Sequence, residues 1–350
     1  MDLRVTNFLR SQTRRILPNM IRPTLLLLIS AITLSATPTS EFIYESAPFP
    51  SCHASTIVET APGEFLTAWF GGTDEGKPDV AIWSSRKSKG QWSPPTEIAR
   101  EPNIPTFNPV LFFSADKTLW MYYKFGPSPA QWTGARRSSR DSGQTWSPAE
   151  HLAAGILGPI KNKPLLLADG TIISGTSVES YQAWASWVER STDNGNTWTR
   201  HGPIVFPGEP QGTIQPAIVS LGSGRLRMFV RSTPRIGRIC ASDSTDGGIT
   251  WTDLKATDLP NPNSGIDAVT LKDGRILLVY NHTAKGRYPL NLAVSRDGGR
   301  WNSFLALETG PGEFSYPAII QGTDGSIHVT YTWNRKKIRH VQVSLSSVPQ

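Results

Sequence analysis

The chain is poor in cysteine and in charged residues for its length. Only Cys52 and Cys240 among its 350 residues are cysteines, and we expect them to lie in different repeats without a bridge, so no disulfide framework holds the fold. The six histidines lack the spacing of metal ligands, and no glycine-rich nucleotide loop is present, so we expect no metal and no cofactor. Charged residues make up 18% of the chain, whereas 12 Trp, 30 Gly and 28 Pro are typical of a turn-rich β protein.

An apolar run long enough to span a bilayer is also missing. The residues from Thr24 to Ser35 form an apolar run of 12, whereas a spanning helix needs about 20. Five arginines precede this run and the small residue Ala36 follows it. The pattern predicts a signal peptide over residues 1–36, export to the periplasm or the extracellular space, and no stable membrane span after cleavage. An uncleaved anchor is the alternative.

The excess of positive charge is modest once this segment is set aside. The net charge is +7, but the first 36 residues carry five Arg and one Asp, so four of the seven charges belong to them. No nucleic-acid-binding motif accompanies the remaining basicity. We therefore expect no nucleic-acid partner, and we expect a monomer.

A short phrase, Ser-x-Asp-x-Gly-x-Thr-Trp, recurs through the chain. Its copies begin at Ser85, Ser139, Ser191, Ser244 and Ser295, and their spacings are 54, 52, 53 and 51 residues. The first copy has decayed and the last lacks only the Thr. A fixed period near 50 residues predicts a propeller, in which each repeat is one blade. We expect the Asp of each phrase to hydrogen-bond turn backbone and the Trp to pack between blades.

A second repeat, of hairpin turns, sets the number of blades. Each turn lies between two runs of apolar and β-branched residues. The turns are Pro62-Gly63, Ala115-Asp116, Asp169-Gly170, Ser223-Gly224, Asp273-Gly274 and Asp324-Gly325. Residues 37–350 are therefore predicted to form an all-β, six-bladed β-propeller of four-stranded antiparallel blades. The sixth blade has no phrase of its own, and we expect its outer strand to come from the N-terminal side, around residues 42–45.

A polar residue stands before each innermost strand, at the end that faces one mouth of the predicted central funnel. In chain order these residues are His53, Asn108, Lys163, Gln215, Asp267 and Tyr316. The second strand of each hairpin returns to the same end and brings Lys124, Arg231 and His282 there. Convergent polar and cationic groups predict a site for an anionic ligand. The plainer interpretation is that they hydrate a central channel.

On these motifs, the sequence from about residue 44 to 345 resembles the sialidase (neuraminidase) superfamily with Asp-box repeats. Gly312-Glu-Phe-Ser-Tyr316-Pro resembles the stretch that bears the family's nucleophilic Tyr. Arg231 and Arg287 match two of the three arginines that bind the substrate carboxylate, and Asp79 falls near the acid/base Asp, with Asp74 and Glu75 as rivals. Two positions depart from the pattern. His53 or its neighbours stand where the first arginine is expected, and Gln215 stands where the family has a Glu.

The resemblance implies an exported exo-glycosidase that cleaves a terminal acidic sugar from a glycan. Tyr316 would attack, Asp79 would transfer protons, Gln215 would orient Tyr316, and His53 would be the nearest base. Substrate binding is assigned to a wider set: Arg231, Arg287, Asn108, Lys163, Asp267, His282 and Lys124. Two alternatives stay open. One is a uronic-acid-directed exo-hydrolase or polysaccharide lyase, and the other is a glycan-binding propeller without catalysis.

Overall fold

The fold is built almost entirely from antiparallel β-strands. The computed structural model describes residues 37–209 and 211–350, so the predicted signal peptide lies outside the described residues. Within the described residues, the only helix is a short 3-10 turn at Leu345–Ser347, and no helix is long and apolar enough to cross a membrane. The first strands are β1 (Thr39–Phe42), β2 (Ser51–Ala61), β3 (Glu64–Gly72), β4 (Ala81–Ser88), β5 (Gln91–Trp92), β6 (Thr96–Ala99), β7 (Thr106–Phe113), β8 (Leu119–Phe125), β9 (Thr133–Ser139), β10 (Glu150–His151), β11 (Leu165–Leu166), β12 (Ile172–Ser180) and β13 (Ala183–Ser191). They are followed by β14 (Thr199–Ile204), β15 (Thr213–Ser220), β16 (Leu226–Ser232), β17 (Arg238–Ser244), β18 (Lys255–Pro260), β19 (Asp267–Thr270), β20 (Ile276–Asn281), β21 (Leu290–Ser295), β22 (Asn302–Glu308), β23 (Phe314–Gln321), β24 (Ile327–Trp333) and β25 (Lys337–Val343).

These strands form six blades, which confirms the predicted fold class. Blade 1 contains β2 to β6, and blades 2 to 5 contain β7–β10, β11–β14, β15–β18 and β19–β22. Blade 6 contains β23, β24 and β25, with β1 as its outer strand. The predicted closure by the N-terminal side is therefore confirmed, although the closing strand ends at Phe42 rather than beginning there. Closure leaves β25 with a partner on both sides and removes an exposed edge.

The apolar core lies between neighbouring blades rather than at one centre. One cluster joins blades 1 and 2 through residues such as Phe70 and Leu111, and another joins blades 5 and 6 through Leu277 and Ile319. Each blade is buried on both faces by its neighbours. The ring is thus stabilised by contacts that repeat from blade to blade.

The recurring Asp phrase forms a hydrogen-bonded turn, as the sequence predicts. In the second copy, the Asp141 carboxylate accepts hydrogen bonds from the backbone N–H and the hydroxyl of Thr145, at 2.9 and 2.6 Å. Ser139 donates to the same carboxylate at 2.7 Å. These donors hold the pKa of Asp141 below its usual range. The phrase therefore has a structural role in the turns of the blades.

Four innermost strands contain the same backbone irregularity at the funnel mouth. The ladder between first and second strands shifts register at Ala54, Asn108, Gln215 and Tyr316, which all have positive φ angles of 59°, 39°, 59° and 50°. In three of the four strands the next residue is proline, which has no N–H to leave unpaired in the disrupted ladder. Positive φ is uncommon for residues with a bulky side chain and costs energy. The bulge therefore places one residue of each of these four blades in the same backbone conformation, near the start of the innermost strand.

Candidate functional site

Tyr316 lies at the centre of a buried polar cluster at the funnel mouth. Its phenol oxygen accepts hydrogen bonds from Arg231 Nη1 at 2.8 Å and from Gln215 Nε2 at 3.1 Å. Arg231 Nη1 also lies 3.3 Å from Gln215 Oε1, and Arg231 Nε donates to Asn263 at 2.7 Å. The bulges of blades 4 and 6 place Gln215 and Tyr316 here, and the returning strand β16 supplies Arg231. Two donors directed at one phenol oxygen stabilise negative charge that develops on it.

Two further arginines share one carboxylate, and one of them, Arg287, lies beside the Tyr316 ring. Glu313 Oε1 accepts from Arg287 Nη1 at 2.8 Å and from Arg335 Nε at 2.7 Å. Although burial opposes it, the two guanidinium groups hold the pKa of Glu313 below its usual range. Arg335 lies in the tight turn between β24 and β25, and it also forms an ion pair with Glu75 of the β3–β4 loop.

Arg335 also lies next to the position where the resemblance expects an arginine. The backbone N–H of Cys52, one residue before His53, donates to the Arg335 carbonyl at 2.8 Å. With Arg231 and Arg287, Arg335 brings the number of guanidinium groups around this part of the funnel to three. Each can bind a carboxylate through paired N–H groups.

His53 packs directly against Tyr316 and is fully buried. The two ring centroids are 4.1 Å apart, and His53 Nδ1 lies 3.0 Å from the Thr332 hydroxyl. His53 Nε2 is buried without a hydrogen-bond partner. Burial, followed by the positive charges of Arg335, Arg287, Arg231 and Lys161, lowers the pKa of His53 well below its usual value. The ring is therefore neutral at pH 7. It lies one position before the bulge residue of its blade, which is Ala54.

Two lysines that precede the first strand of blade 3 form hydrogen bonds with residues of blades 5 and 6. Lys163 Nζ donates to Asp267 Oδ2 and to the Ala268 carbonyl, at 2.8 and 2.9 Å, and Asp267 Oδ2 also accepts from the N–H of Ile319. Lys161 Nζ donates to the carbonyls of residues 266 and 317, and burial lowers the pKa of Lys161 to about 7. Lys163 and Asp267 were predicted to bind substrate, but their described contacts are with each other and with backbone.

Three other predicted binding residues have partners away from Tyr316. Asn108 donates to the Ile160 carbonyl at 3.1 Å. Lys124 is fully buried at the junction of blades 2 and 3, where it donates to the Pro159 carbonyl at 2.7 Å, and burial lowers its pKa to about 7. His282 is exposed and hydrogen-bonds to the Tyr280 hydroxyl.

Asp79, the predicted acid/base residue, is exposed in the β3–β4 loop. Its Oδ2 accepts from both the N–H and the hydroxyl of Thr73, each at 2.7 Å. Both hydrogen bonds lower the pKa of Asp79, and the bond from the Thr73 hydroxyl has the larger effect. The carboxylate thus closes a loop turn in this structure. Of its rivals, Asp74 accepts from the N–H of the next residue, and Glu75 pairs with Arg335.

A groove lies to the side of the cluster rather than over it. Its volume is about 710 Å³, and its walls include Trp184, Trp187 and Phe206 of blade 3 and the segment after it. None of its lining residues belongs to the Tyr316 cluster. No group of three or more metal-binding side chains occurs in the part of the chain that the structure describes.

The residues of the site that sequence reasoning missed are Arg335, Glu313 and Glu179. Arg335 follows Asn334 in the turn of the last hairpin, and Glu313 lies three residues before Tyr316. Glu179 is the second-last residue of β12 and lies two residues after Ser177, whose hydroxyl accepts from the backbone N–H of Gln215 at 3.4 Å. A charged residue at a strand end or in a funnel-side turn is the signal that could have found each of them.

The comparisons agree with this architecture. The family model described as BNR repeat-like domain matches residues 63–329. No curated protein matches the chain. Among solved structures, a protein of unknown function from Dyadobacter fermentans has a TM-score of 0.74 at 18% identity, with 87% of this chain and 97% of that chain covered. The NanB sialidase of Streptococcus pneumoniae has a TM-score of 0.73 at 12% identity, with 88% of this chain and 71% of that chain covered. The intramolecular trans-sialidase of Ruminococcus gnavus has a TM-score of 0.72 at 13% identity, with 88% of this chain and 98% of that chain covered. At these identities the likeness shows the fold, a sialidase-like propeller.

Proposed function

Because the chain belongs to the family of BNR repeat-like domains, we propose that it is an exported exo-glycosidase that releases a terminal acidic sugar, of the sialic acid type, from a glycan. The observation that carries this proposal is a set of three arginines, of which two lie against the Tyr316 ring and the third is joined to one of them through Glu313. Arg231, Arg287 and Arg335 form the positive surface for a sugar carboxylate, and Tyr316 is the nucleophile beside it. The signal peptide predicted from the sequence supports export, and we propose that the protein acts outside the cytoplasm as a monomer.

A tyrosine suits this substrate better than a carboxylate would. In a sialic acid the carboxylate is attached to the anomeric carbon itself, so a carboxylate nucleophile would meet like-charge repulsion. A neutral phenol avoids that repulsion until its oxygen bonds to the carbon. Arg231 and Gln215 already donate to that oxygen, and they stabilise the charge that develops on it in the transition state.

Glu313 has a positioning role in this proposal. Because it binds both Arg287 and Arg335 through one oxygen, it holds the two guanidinium groups side by side. Pre-oriented guanidinium groups lose less conformational entropy when they bind a carboxylate. The ion pair between Arg335 and Glu75 opens when the substrate carboxylate replaces Glu75.

A second candidate function is β-elimination from a uronic acid glycan. The contact between neutral His53 and Tyr316 favours it, because a lyase needs a base and an acid beside a neutralised carboxylate. The two candidates differ in their product. Hydrolysis adds water to the released sugar, whereas elimination leaves a double bond that absorbs in the near ultraviolet.

The test is product release from sialosides and uronic-acid-capped glycans, read by mass and by ultraviolet absorbance. We expect a free acidic sugar from the wild type, and a loss of turnover of roughly 10³-fold or more in Tyr316→Phe. Tyr331→Phe is the matched control, because Tyr331 is a buried tyrosine of the same blade that hydrogen-bonds to Glu308 instead. Full activity in a folded Tyr316→Phe variant would remove Tyr316 from the mechanism. Binding without turnover across the panel would support the non-catalytic alternative.

A further inference from the structure

Glu179 is a carboxylate at the funnel mouth that none of the predicted roles uses. It is the second-last residue of β12 in blade 3, and successive side chains of a strand point to opposite faces. Glu179 therefore faces the same side as Ser177, which contacts the backbone of Gln215 in blade 4. Ser186, which pairs with Ser177 across the hairpin, likewise contacts Thr213 of blade 4 at 3.0 Å. This face of blade 3 looks toward the bulge that carries Gln215.

The other carboxylates near Tyr316 are already engaged. Glu313 binds two arginines, Glu75 binds Arg335, and Asp79 closes a turn with Thr73. In contrast, Glu179 Oε1 is buried and has no hydrogen-bond partner. An unpaired buried carboxylate oxygen costs free energy unless the group is protonated or meets a ligand.

The charges that act on Glu179 come from two other blades. Burial raises the pKa of Glu179 to about 7, while Arg231 of blade 4 opposes the rise and Glu75 of blade 1 adds to it. Arg231 is the same residue that donates to the Tyr316 oxygen at 2.8 Å. The guanidinium of Arg231 thus acts on both Glu179 and the Tyr316 hydroxyl.

We propose that Glu179 is the proton-transfer residue of this site. The inference rests on the proposed function, and it supplies what Gln215 lacks, since an amide cannot take a proton from Tyr316. It assigns the acid/base role to blade 3 instead of to Asp79 in the exposed loop of blade 1.

The proton balance closes with Glu179 alone. Ionised Glu179 takes the proton of the Tyr316 hydroxyl as the Tyr316 oxygen bonds to the anomeric carbon. It gives that proton to the glycosidic oxygen as the bond from the anomeric carbon to that oxygen breaks. In the second step Glu179 takes a proton from the attacking water and returns it to the Tyr316 oxygen as the tyrosyl–sugar bond breaks. Glu179 ends ionised, and no oxidant, metal or further base takes part.

The first experiment compares Glu179→Gln with the wild type over pH 5 to 9, on an acidic-sugar glycoside that the wild type turns over. We expect kcat/KM of the wild type to fall as the pH drops below about 7, because Glu179 must be ionised to accept the first proton. In Glu179→Gln we expect kcat/KM to be roughly 10²- to 10⁴-fold lower. The remaining activity should lack the fall at low pH, the acid limb of the pH profile. Added azide or formate should restore part of the activity of Glu179→Ala.

Glu189→Gln is the matched control. Burial raises the pKa of Glu189 to about 7 as well, but its carboxylate accepts from the backbone N–H groups of Leu157 and Gly158, between blades 2 and 3. We expect Glu189→Gln to keep the acid limb of the wild type. Thermal melting of each variant separates loss of fold from loss of chemistry.

A measurement without substrate tests the same residue. Infrared difference spectra between pH 8 and pH 6 should show protonated-carboxyl absorption from both Glu179 and Glu189. Glu179→Gln should lose the Glu179 part of this absorption, and Glu189→Gln should keep it. An active wild type and an inactive Tyr316→Phe, together with full activity and an unchanged pH profile in Glu179→Gln, would overturn the role of Glu179 and leave the proposed function intact. A wild type that turns over no acidic sugar would overturn both.

Discussion

At the scale of single residues, Arg335 shows how a site can be completed from an unexpected place. The resemblance expects an arginine at the start of the innermost strand of blade 1, where His53 stands instead. In the last hairpin turn of blade 6, the Arg335 carbonyl accepts a hydrogen bond from the N–H of Cys52 in that strand, and the positive charge of Arg335 acts on His53. A charge from the neighbouring blade thus lies close to the strand in which the resemblance expects an arginine.

Arg335→Lys tests whether this guanidinium binds the substrate carboxylate. A lysine keeps the charge but cannot form the paired hydrogen bonds, so we expect KM for an acidic glycoside to rise roughly 10- to 100-fold with a smaller change in kcat. Steady-state kinetics of the wild type and the variant measure these changes in KM and kcat. Arg339→Lys is the control, because Arg339 binds Glu308 and Ser40 at the outer part of the same blade. An unchanged KM in Arg335→Lys would contradict the assignment.

Which site residues could be predicted depended on where they lie in the repeat. Tyr316, Gln215 and Arg231 come together as expected, because each occupies the funnel end of a first or second strand. Arg335 lies in a turn and Glu179 at the last positions of a strand. Arg335 pairs with Glu75 of blade 1, and the charges that act on Glu179 also come from other blades. A repeat within one chain does not reveal such relations between blades.

At the scale of elements, the closing strand β1 is tied to both blades that it joins. Glu41 of β1 hydrogen-bonds to His340 of β25 at 3.0 Å and forms an ion pair with Lys87 of blade 1. Although burial opposes it, these partners lower the pKa of Glu41 to about 2. His340 in turn hydrogen-bonds to His328 of β24 at 3.0 Å, so one polar chain crosses the blade.

This chain predicts a pH-dependent stability. Burial, followed by the neighbouring His340, lowers the pKa of His328 to about 4 from a usual value of 6.5. The unfolded chain therefore binds a proton more readily than the native state between these values, and stability is lost as the pH falls from about 7 to 4. For His328 alone the loss is about 3 kcal/mol.

Denaturant unfolding at pH 7, 6, 5 and 4 measures the effect. We expect His328→Asn to have a shallower dependence on pH than the wild type over this range. Exposed His151 provides the control, and His151→Asn should follow the wild type. Parallel curves for His328→Asn and the wild type would show that His328 does not protonate on unfolding.

At the scale of the whole molecule, most of the fold could be predicted because its signals repeat. Six turn dipeptides and five Asp phrases at a constant spacing give the number, length and order of the blades without any knowledge of packing. The ties across the central channel, such as Lys163 to Asp267, occur once each. Their residue types also suit a ligand site, so the sequence alone could not separate a structural charge from a functional one.

The tie between Lys163 and Asp267 joins blade 3 to blade 5, so its loss should weaken the ring as a unit. Asp267 is buried, and Lys163→Met would leave its carboxylate without its charged partner, at a cost of about 3–5 kcal/mol. We expect a lower midpoint in a single cooperative denaturant transition. The double variant Lys163→Met/Asp267→Asn should recover part of the loss, and additive effects of the two substitutions would contradict the coupling.

The bulge at the head of the innermost strands has a consequence for how such a protein can diversify. In blades 1, 2, 4 and 6 the same backbone kink presents a different side chain, Ala54, Asn108, Gln215 or Tyr316. A point mutation there exchanges the side chain at a backbone conformation that three other blades already share. Blade 1 has only the buried methyl group of Ala54 at this position, packed in the same apolar cluster as Tyr316, so it is the blade whose bulge brings no polar group to the site.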